Sequence, residues 1–185
     1  MTLRSLYIAA AVLAASTAYA QTPKEDTPTA AASFVNLDGK VIGSATLQET
    51  PHGVIIRAEL EGLEPGERSS HIHEKGACDP ATKFESAGGH FNPGKHQHGF
   101  MAEQGPHAGD MPNQFVGEDG KLSVNILNTA ITIGTAEVDN TTVASVADED
   151  GSAIVIHAGA DDYRSQPAGN AGDRIACGVI EVAPK

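Results

Sequence analysis

The sequence has few basic residues, and these do not form a cluster. It contains 12 lysines and arginines against 24 aspartates and glutamates, which gives a formal net charge of -12 at pH 7. Proteins that bind nucleic acid or anionic lipid surfaces rely on patches of lysine and arginine. We therefore expect neither a nucleic acid nor a membrane surface among the partners of this protein.

Long apolar runs are also missing, apart from one at the N-terminus. Residues 1–20 (MTLRSLYIAAAVLAASTAYA) carry one charge, Arg4, then an apolar run over 6–15 and the small-residue pattern Ala-Tyr-Ala at 18–20. This run is too short to cross a bilayer and has the order of a secretory signal. We expect cleavage near Ala20 and a periplasmic or secreted mature protein; an uncleaved membrane anchor is the alternative.

No stretch of the chain shows the periodicity of an amphipathic helix. Short segments of alternating apolar and polar residues are separated instead by turn signals such as Asp38-Gly39 and Asp119-Gly120. The segments are 33–37, 41–48, 54–60, 69–73, 114–116, 121–126, 130–133, 141–146, 153–157 and 175–182. This spacing predicts an all-β fold, a Greek-key barrel or sandwich of about eight antiparallel strands with two long functional loops. Residues 31–185 form the predicted domain, preceded by a flexible lead-in over 21–30.

Cysteine is scarce as well, since Cys78 and Cys177 are the only two. An oxidising compartment favours a disulfide between them, and two free thiols are the alternative. The disulfide would close a loop of about 100 residues, for which a chain-entropy model gives about 4–5 kcal/mol of stabilisation.

Histidine, in contrast, is abundant and unevenly distributed. Six of the eight histidines lie within residues 71–110, most of them in a long segment with no periodicity of its own. A long loop of this kind is usually functional or disordered. Because a neutral imidazole offers a lone pair near neutral pH, such a local excess predicts a metal site.

The spacing of three histidines favours copper. His71 and His73 end a predicted strand, where alternation directs both imidazoles to one face. His157 ends a later strand, and a barrel could bring it to the same place. Imidazole-rich, roughly square sites suit copper(II).

A second set favours zinc. His90, His98 and His107 are followed by Asp110, and three histidines with a carboxylate suit a closed tetrahedral zinc site. A histidine taken alone is more often a surface or core residue than a ligand. We interpret His52 and His96 in that way, because neither has a partner at a matching spacing.

Five segments resemble the signatures of the copper/zinc superoxide dismutases. They are HIHE at 71–74, SAGGHFNP at 86–93, HAGD at 107–110, HAGADD at 157–162 and GNAGDRIACGVI at 169–180. They occur in the same order as in that family, whose architecture is a β-sandwich. The resemblance therefore supports the predicted fold and implies a function.

The resemblance also implies a role for each residue of the site. The implied copper ligands are His71, His73, His90 and His157, and the implied zinc ligands are His90, His98, His107 and Asp110. The carboxylate of Asp161 would link His71 to His98, and Arg174 would hold the substrate. Cys78 and Cys177 would form a disulfide. His90 would bridge the two metals and would act in catalysis with Arg174. The implied activity is conversion of superoxide to dioxygen and hydrogen peroxide, by a monomer or homodimer without an organic cofactor.

Two features depart from the usual pattern. The loop 159–173 contains Arg164 but no lysine, and Asp173 lies next to Arg174. We therefore expect other cations to attract the anion, with Lys75, Lys83 and Lys95 as candidates. The alternative functions are an exported copper or zinc storage protein without turnover and, less favoured, an adhesive β-sandwich.

Overall fold

The computed structural model describes residues 29–134, 137–138 and 141–183. The predicted signal segment, its cleavage site and most of the lead-in lie outside the described residues. The strands are β1 (Thr29–Asn36), β2 (Val41–Thr50), β3 (Gly53–Leu60), β4 (Gly66–Arg68), β5 (Ser70–His73), β6 (Gln114–Val116), β7 (Leu122–Asn128), β8 (Ile131–Thr132), β9 (Glu137–Val138), β10 (Thr141–Thr142), β11 (Ala144–Ser145), β12 (Ala153–His157) and β13 (Arg174–Val182).

The main structure is one antiparallel sheet of seven strands in the order β5-β12-β13-β1-β2-β3-β7. The sheet is curled, and β4 pairs with β6 beside it. The prediction of an all-β fold is confirmed. Among the described residues, no helical segment has the length and apolar character that crossing a membrane requires.

Alternating side chains explain why these segments form strands. In β7 every second residue is buried, beginning with Leu122, as expected for a strand with one face toward the core. The β1–β2 turn is set by Asn36, whose side chain accepts hydrogen bonds from the backbone N–H groups of Asp38 and Lys40. Gly39 completes the turn at φ 74°, a conformation that glycine adopts at little cost.

Strands β5 and β12 differ from the other strands of the seven-stranded sheet because every residue in them is buried. Their register pairs Ile154 with Ile72, and both side chains belong to the main hydrophobic core. The alternate residues of both strands face the other way, where the long loops cover them. His71, His73 and His157 lie on this loop-covered face.

The first long loop runs from β5 to β6 and contains two short 3-10 turns, Pro80–Thr82 and Glu85–Ala87. A disulfide between Cys78 and Cys177 fastens it to β13, which confirms the predicted pairing. Phe84 is fully buried against the disulfide in a second, smaller core. The loop is therefore fixed to the sheet by a covalent bond and an apolar anchor.

Several boundaries differ from the sequence-based expectations. Strand β1 begins at Thr29, ahead of the expected strand over 33–37 and inside the expected lead-in. Residues 66–68 form β4, where no strand was expected. The expected strand over 141–146 is divided into β10 and β11, which pair with different strands. The strand with which each short element pairs decides where it begins and ends, and local alternation does not reveal that partner.

Candidate metal centre

Four buried histidines form the first part of the site. One ring nitrogen from each of His71, His73, His90 and His157 lies within 4.8 Å of the others. The strands explain the proximity: β5 carries two of these residues, β12 carries the third, and an isolated bridge pairs His73 with His90. The structure thus brings together the set that the sequence assigned to copper.

In three of these rings one nitrogen, here called the outer nitrogen, forms a hydrogen bond with a neighbouring group. The other nitrogen, here called the inner nitrogen, has no hydrogen-bond partner among the described residues. His73 Nδ1 lies 3.0 Å from the Gly88 carbonyl oxygen, and His157 Nδ1 lies 3.2 Å from that of Gly172. His71 uses the opposite nitrogen, with Nε2 2.9 Å from Asp161 Oδ2. Each of these acceptors places the ring proton on the nitrogen that it contacts, so the inner nitrogen carries a lone pair.

The inner nitrogens have the properties of metal ligands. His71 Nδ1 and the Nε2 atoms of His73, His90 and His157 are buried and have no hydrogen-bond partner among the described residues. Leaving several polar atoms buried and unpaired is costly, and a metal ion would satisfy all four at once. Burial lowers the pKa of His90 to about 4 and that of His157 to about 3, so both rings stay neutral.

A second group lies on the other side of His90. Asp110 Oδ1 is 3.0 Å from His90 Nδ1, 3.0 Å from His98 Nδ1 and 3.4 Å from His107 Nδ1, and the Nδ1 atoms of His90 and His107 are 3.3 Å apart. Zinc bonds of 2.0–2.1 Å in a tetrahedron require ligand atoms about 3.3 Å apart. Four of the six separations among these atoms are therefore close to those of a tetrahedral zinc site, and His90 is common to both groups.

His71 also lies within 4.8 Å of His90, His98 and Asp110. The four ligand atoms of this second set all lie within 4.8 Å of one another, so distance does not exclude His71 from the zinc-type group. However, His71 Nε2 is occupied by Asp161, and its Nδ1 is one of the unpartnered inner nitrogens. We therefore group His71 with the copper-type histidines and His107 with the zinc-type residues.

The zinc-type group is strongly polarised. Burial would raise the pKa of Asp110, but hydrogen bonds from His107, His90 and His98 hold it well below its usual value. Burial would lower the pKa of His98, but hydrogen bonds to Asp110 and Asp161 outweigh it and raise the pKa to about 9. Asp110 Oδ2 accepts hydrogen bonds from the backbone N–H groups of Gly99 and His107. The other carboxylate oxygen is thereby directed toward the three histidines.

Asp161 joins the two groups. Its two oxygens lie 2.9 Å from His71 Nε2 and 3.0 Å from His98 Nε2, and it is almost completely buried. Burial opposes ionisation, but the hydrogen bonds from these histidines hold the pKa of Asp161 well below its usual value. A Cβ on Gly169, which has φ 67°, would lie 1.8 Å from Asp161 Oδ1, so only glycine fits against this carboxylate.

A cavity of about 300 Å³ opens onto the copper-type group. His73, His90, His157 and Arg174 line it, together with Lys83. Arg174 is held by the carbonyl oxygens of Phe84, at 2.7 Å, and Gly88, at 2.8 Å. A fixed guanidinium beside unprotonated imidazoles forms a site for a small anion next to a metal.

Strand register places Arg174 at this cavity. The β12–β13 ladder shifts between Ile156 and His157, so His157 pairs with Arg174 and not with Ile175. Such a bulge changes the direction in which nearby side chains point. His157 and Arg174 thus lie opposite each other where the two strands meet the cavity.

Comparison with known proteins agrees with this geometry. Residues 41–180 match the family model described as copper/zinc superoxide dismutase (SODC). The chain is 50% identical over 150 residues to "Superoxide dismutase [Cu-Zn] 2" of Aquifex aeolicus, covering 80% of this chain and 84% of that protein. The chain belongs to the copper/zinc superoxide dismutase family.

Solved structures support the same assignment. A double mutant of a SOD-like protein from Bacillus subtilis superposes with a TM-score of 0.74 at 43% identity, covering 80% of this chain and 95% of that one. The Cu/Zn superoxide dismutase from Brucella abortus superposes with a TM-score of 0.64 at 28% identity, covering 83% and 99%. As in other members of the superoxide dismutase family, the cofactors are copper and zinc.

Several residues that support the superoxide dismutase site were not predicted from the sequence. The Gln166 side chain exchanges hydrogen bonds with both backbone groups of His98, each at 2.9 Å. Asn113 does the same for the backbone of Asp161. Both are long-range contacts between loops and leave no local pattern in the sequence. His52 and His96 are exposed and belong to neither metal group.

Proposed function

We propose that this protein is an exported superoxide dismutase that uses copper held by His71, His73, His90 and His157, and zinc held by His90, His98, His107 and Asp110. The observation that carries the ligand assignment is the set of four buried nitrogens without a partner among the described residues, beside the N3O group of His90, His98, His107 and Asp110. The overall reaction converts two superoxide anions and two protons into dioxygen and hydrogen peroxide. Copper supplies one-electron redox chemistry when bound, which zinc does not.

Arg174 binds the substrate anion in this proposal. Its side chain lines the cavity and is 15% exposed, so it can reach a ligand while remaining positioned. Two carbonyl oxygens fix the guanidinium, and Glu85 Oε2 lies 3.5 Å from Nη2. The N–H groups not used in these contacts are available to a diatomic anion. Arg174 would thus contribute positive charge to the cavity and orient the bound anion.

His90 connects the two metal groups and faces the cavity. Its Nδ1 belongs to the zinc-type group, whereas its Nε2 is one of the inner nitrogens. When Nε2 is not a ligand it can hold a proton at the cavity, where the product needs protons. With zinc bound at Nδ1 the ring would be held from that side, and the single proton of the neutral imidazole would lie at Nε2, toward the anion site.

Lys83 is the cation with the best position to attract superoxide. It lines the cavity with Arg174, whereas Lys75 lines a different cleft with Asp148 and Asp150. Arg164 is directed toward Met101, with 3.9 Å between Nη2 and Sδ. Steering raises the encounter rate when positive charge surrounds a site on an acidic protein, and superoxide dismutases are a standard example.

A storage protein is the second candidate and is not favoured. Storage needs ligands but does not need an arginine fixed in the cavity beside the copper-type group.

Export is also part of the proposal. Residues 1–20 would be a signal peptide that is removed near Ala20, and residues 21–30 would lead into the domain. The domain of residues 31–185 would act in the periplasm or outside the cell.

The test combines metal analysis with activity. We expect about one copper and one zinc per chain, and rapid superoxide decay that chelation abolishes. Arg174→Ala should retain both metals but lose about tenfold or more in kcat/KM, because one charge-assisted contact to the anion is removed. Arg57→Ala, an exposed change of the same kind on β3, is the control. Stoichiometric metal without superoxide decay would favour storage, and an unaltered rate in the Arg174 variant would remove that residue from the mechanism.

A further inference from the structure

The peptide group between Gly88 and Gly89 lies between the copper-type group and Arg174. Its carbonyl oxygen is 3.0 Å from His73 Nδ1 and accepts a second hydrogen bond from Arg174 Nη2 at 2.8 Å. One oxygen therefore sets both the ring orientation of a metal ligand and the position of the anion-binding side chain. Whatever fixes this peptide plane fixes both.

A peptide between two glycines has little intrinsic preference for one orientation. Gly88 has φ 74° and ψ -155°, a region that is open almost only to glycine. Its neighbour also lacks a Cβ, so side-chain sterics do not hold the plane. The plane needs an external restraint.

Glu74 provides that restraint at the opposite end of the peptide group. The N–H of Gly89 donates to Glu74 Oε1 at 3.0 Å. The Glu74 side chain also packs on Gly88, because a Cβ placed there would lie 2.7 Å from Oε1 and 2.8 Å from Cγ. Glu74 is exposed and could instead be solvated by water, so its carboxylate is not forced into this position by burial.

The charge of Glu74 acts through the same peptide group. A carboxylate at the N–H end polarises the amide and strengthens the acceptor at its carbonyl end, because hydrogen bonds in a chain reinforce one another. Both His73 and Arg174 donate to that carbonyl. We propose, on the basis of the function proposed above, that Glu74 is a positioning residue that orients His73 and Arg174 through the Gly88–Gly89 peptide.

The backbone allows this role to be tested without unfolding the loop. The Glu74 N–H donates to the Gly89 carbonyl at 3.0 Å, and the Lys75 N–H donates to that of Ala87 at 3.1 Å. These bonds survive any substitution of the Glu74 side chain. Glu74→Ala removes the restraint, Glu74→Gln keeps an acceptor without the charge, and Glu118→Gln on the exposed β6–β7 turn controls for net charge.

The first readouts use the metal-free protein. In Glu74→Ala we expect the Gly89 amide hydrogen to exchange about tenfold faster and the ring nitrogen shifts of His73 to move toward a mixture of tautomers. Glu74→Gln should lie between this variant and the wild type, and Glu118→Gln should match the wild type. Unchanged exchange and unchanged shifts in Glu74→Ala would overturn the proposal.

The second readouts use the copper- and zinc-loaded protein. In Glu74→Ala we expect unchanged copper content, an altered Cu(II) electron paramagnetic resonance spectrum, and a loss of about tenfold in azide affinity and in kcat/KM, the lower end for partners that orient ligands. Faster Gly89 exchange with unchanged azide affinity and spectrum would mean a structural role only, and would overturn the proposal. Absence of superoxide turnover in the wild type would refute the proposed function but would leave the metal-free readouts intact.

Discussion

Zinc binding should release about one proton at pH 7.5, and that proton should come from His98. Its Nδ1 and Nε2 lie 3.0 Å from oxygens of Asp110 and Asp161, respectively. A neutral imidazole has only one N–H and could not donate to both carboxylates, whereas the imidazolium can. In the metal-free protein these carboxylates raise the pKa of His98 to about 9 despite its burial.

The expected number of protons released follows from the pKa of His98. At pH 7.5 a group with a pKa of 9 carries about 0.97 proton, whereas an ordinary histidine carries about 0.1. Burial lowers the pKa of His90 to about 4, and hydrogen bonds keep Asp110 ionised, so neither residue adds a proton. Zinc at His98 Nδ1 must displace the proton, so zinc affinity should rise about tenfold per pH unit between pH 7 and 8.5.

Isothermal titration of metal-free protein with zinc, in buffers of different ionisation enthalpy, measures the proton count. Asp161→Asn should shift the half-point of release to lower pH, because one of the two carboxylates that stabilise the imidazolium loses its charge. Asp38→Asn, on the exposed β1–β2 turn, should not. Release of fewer than about 0.3 proton at pH 7.5, with pH-independent zinc affinity above pH 7, would refute the reasoning.

Three further predictions concern the cavity, the loops and acid stability. Lys83→Ala should lower kcat/KM about two- to fivefold at low ionic strength and much less in high salt, whereas Lys75→Ala should have little effect; stopped-flow superoxide decay at several salt concentrations checks both. Gln166→Ala should weaken zinc binding by about tenfold, measured by chelator competition, because both backbone groups of His98 lose their partner. Acidifying the metal-free protein from pH 7 to 5 should cost at least about 3 kcal/mol of unfolding free energy in denaturant titrations, because burial also lowers the pKa of His73 well below its usual value. Burial lowers the pKa values of His90 and His157 to about 4 and about 3, so this stability is present above pH 6.5 and declines as the pH falls; His98, with its raised pKa, opposes the change only partly.

The sequence revealed the ligand types because they lie at spacings that strands and family signatures make recognisable. His71 and His73 point to one face through simple alternation, and the structure places both rings beside that of His90. The candidate ligands that follow them, His90, His98, His107, Asp110 and His157, were identified by their order along the chain. Ligand chemistry is local, so a sequence carries it directly.

The groups that orient these side chains were not predictable in the same way. The shift at Ile156 and His157, the carbonyl of Gly88 and the Gln166 side chain act between segments far apart in sequence. A bulge depends on the partner strand, and a carbonyl acceptor carries no side-chain signature. The sequence therefore indicated the candidate ligands that the fold brings together, while the groups that orient them depend on contacts between distant segments.

The β12–β13 register also bears on how this enzyme can be altered. His157 and Arg174 are cross-strand neighbours, so residues 158–173 close a hairpin whose stem carries both side chains. Within that segment, Asp161 contacts His71, and Gly169 packs against Asp161 and His98. Arg164 and Asp162 are exposed. The segment can therefore be exchanged as a cassette: grafting a more basic version that keeps Asp161, Gln166, Gly169 and Gly172 would change how quickly anions arrive while leaving the hydrogen bonds that orient His71, His98 and His157 in place.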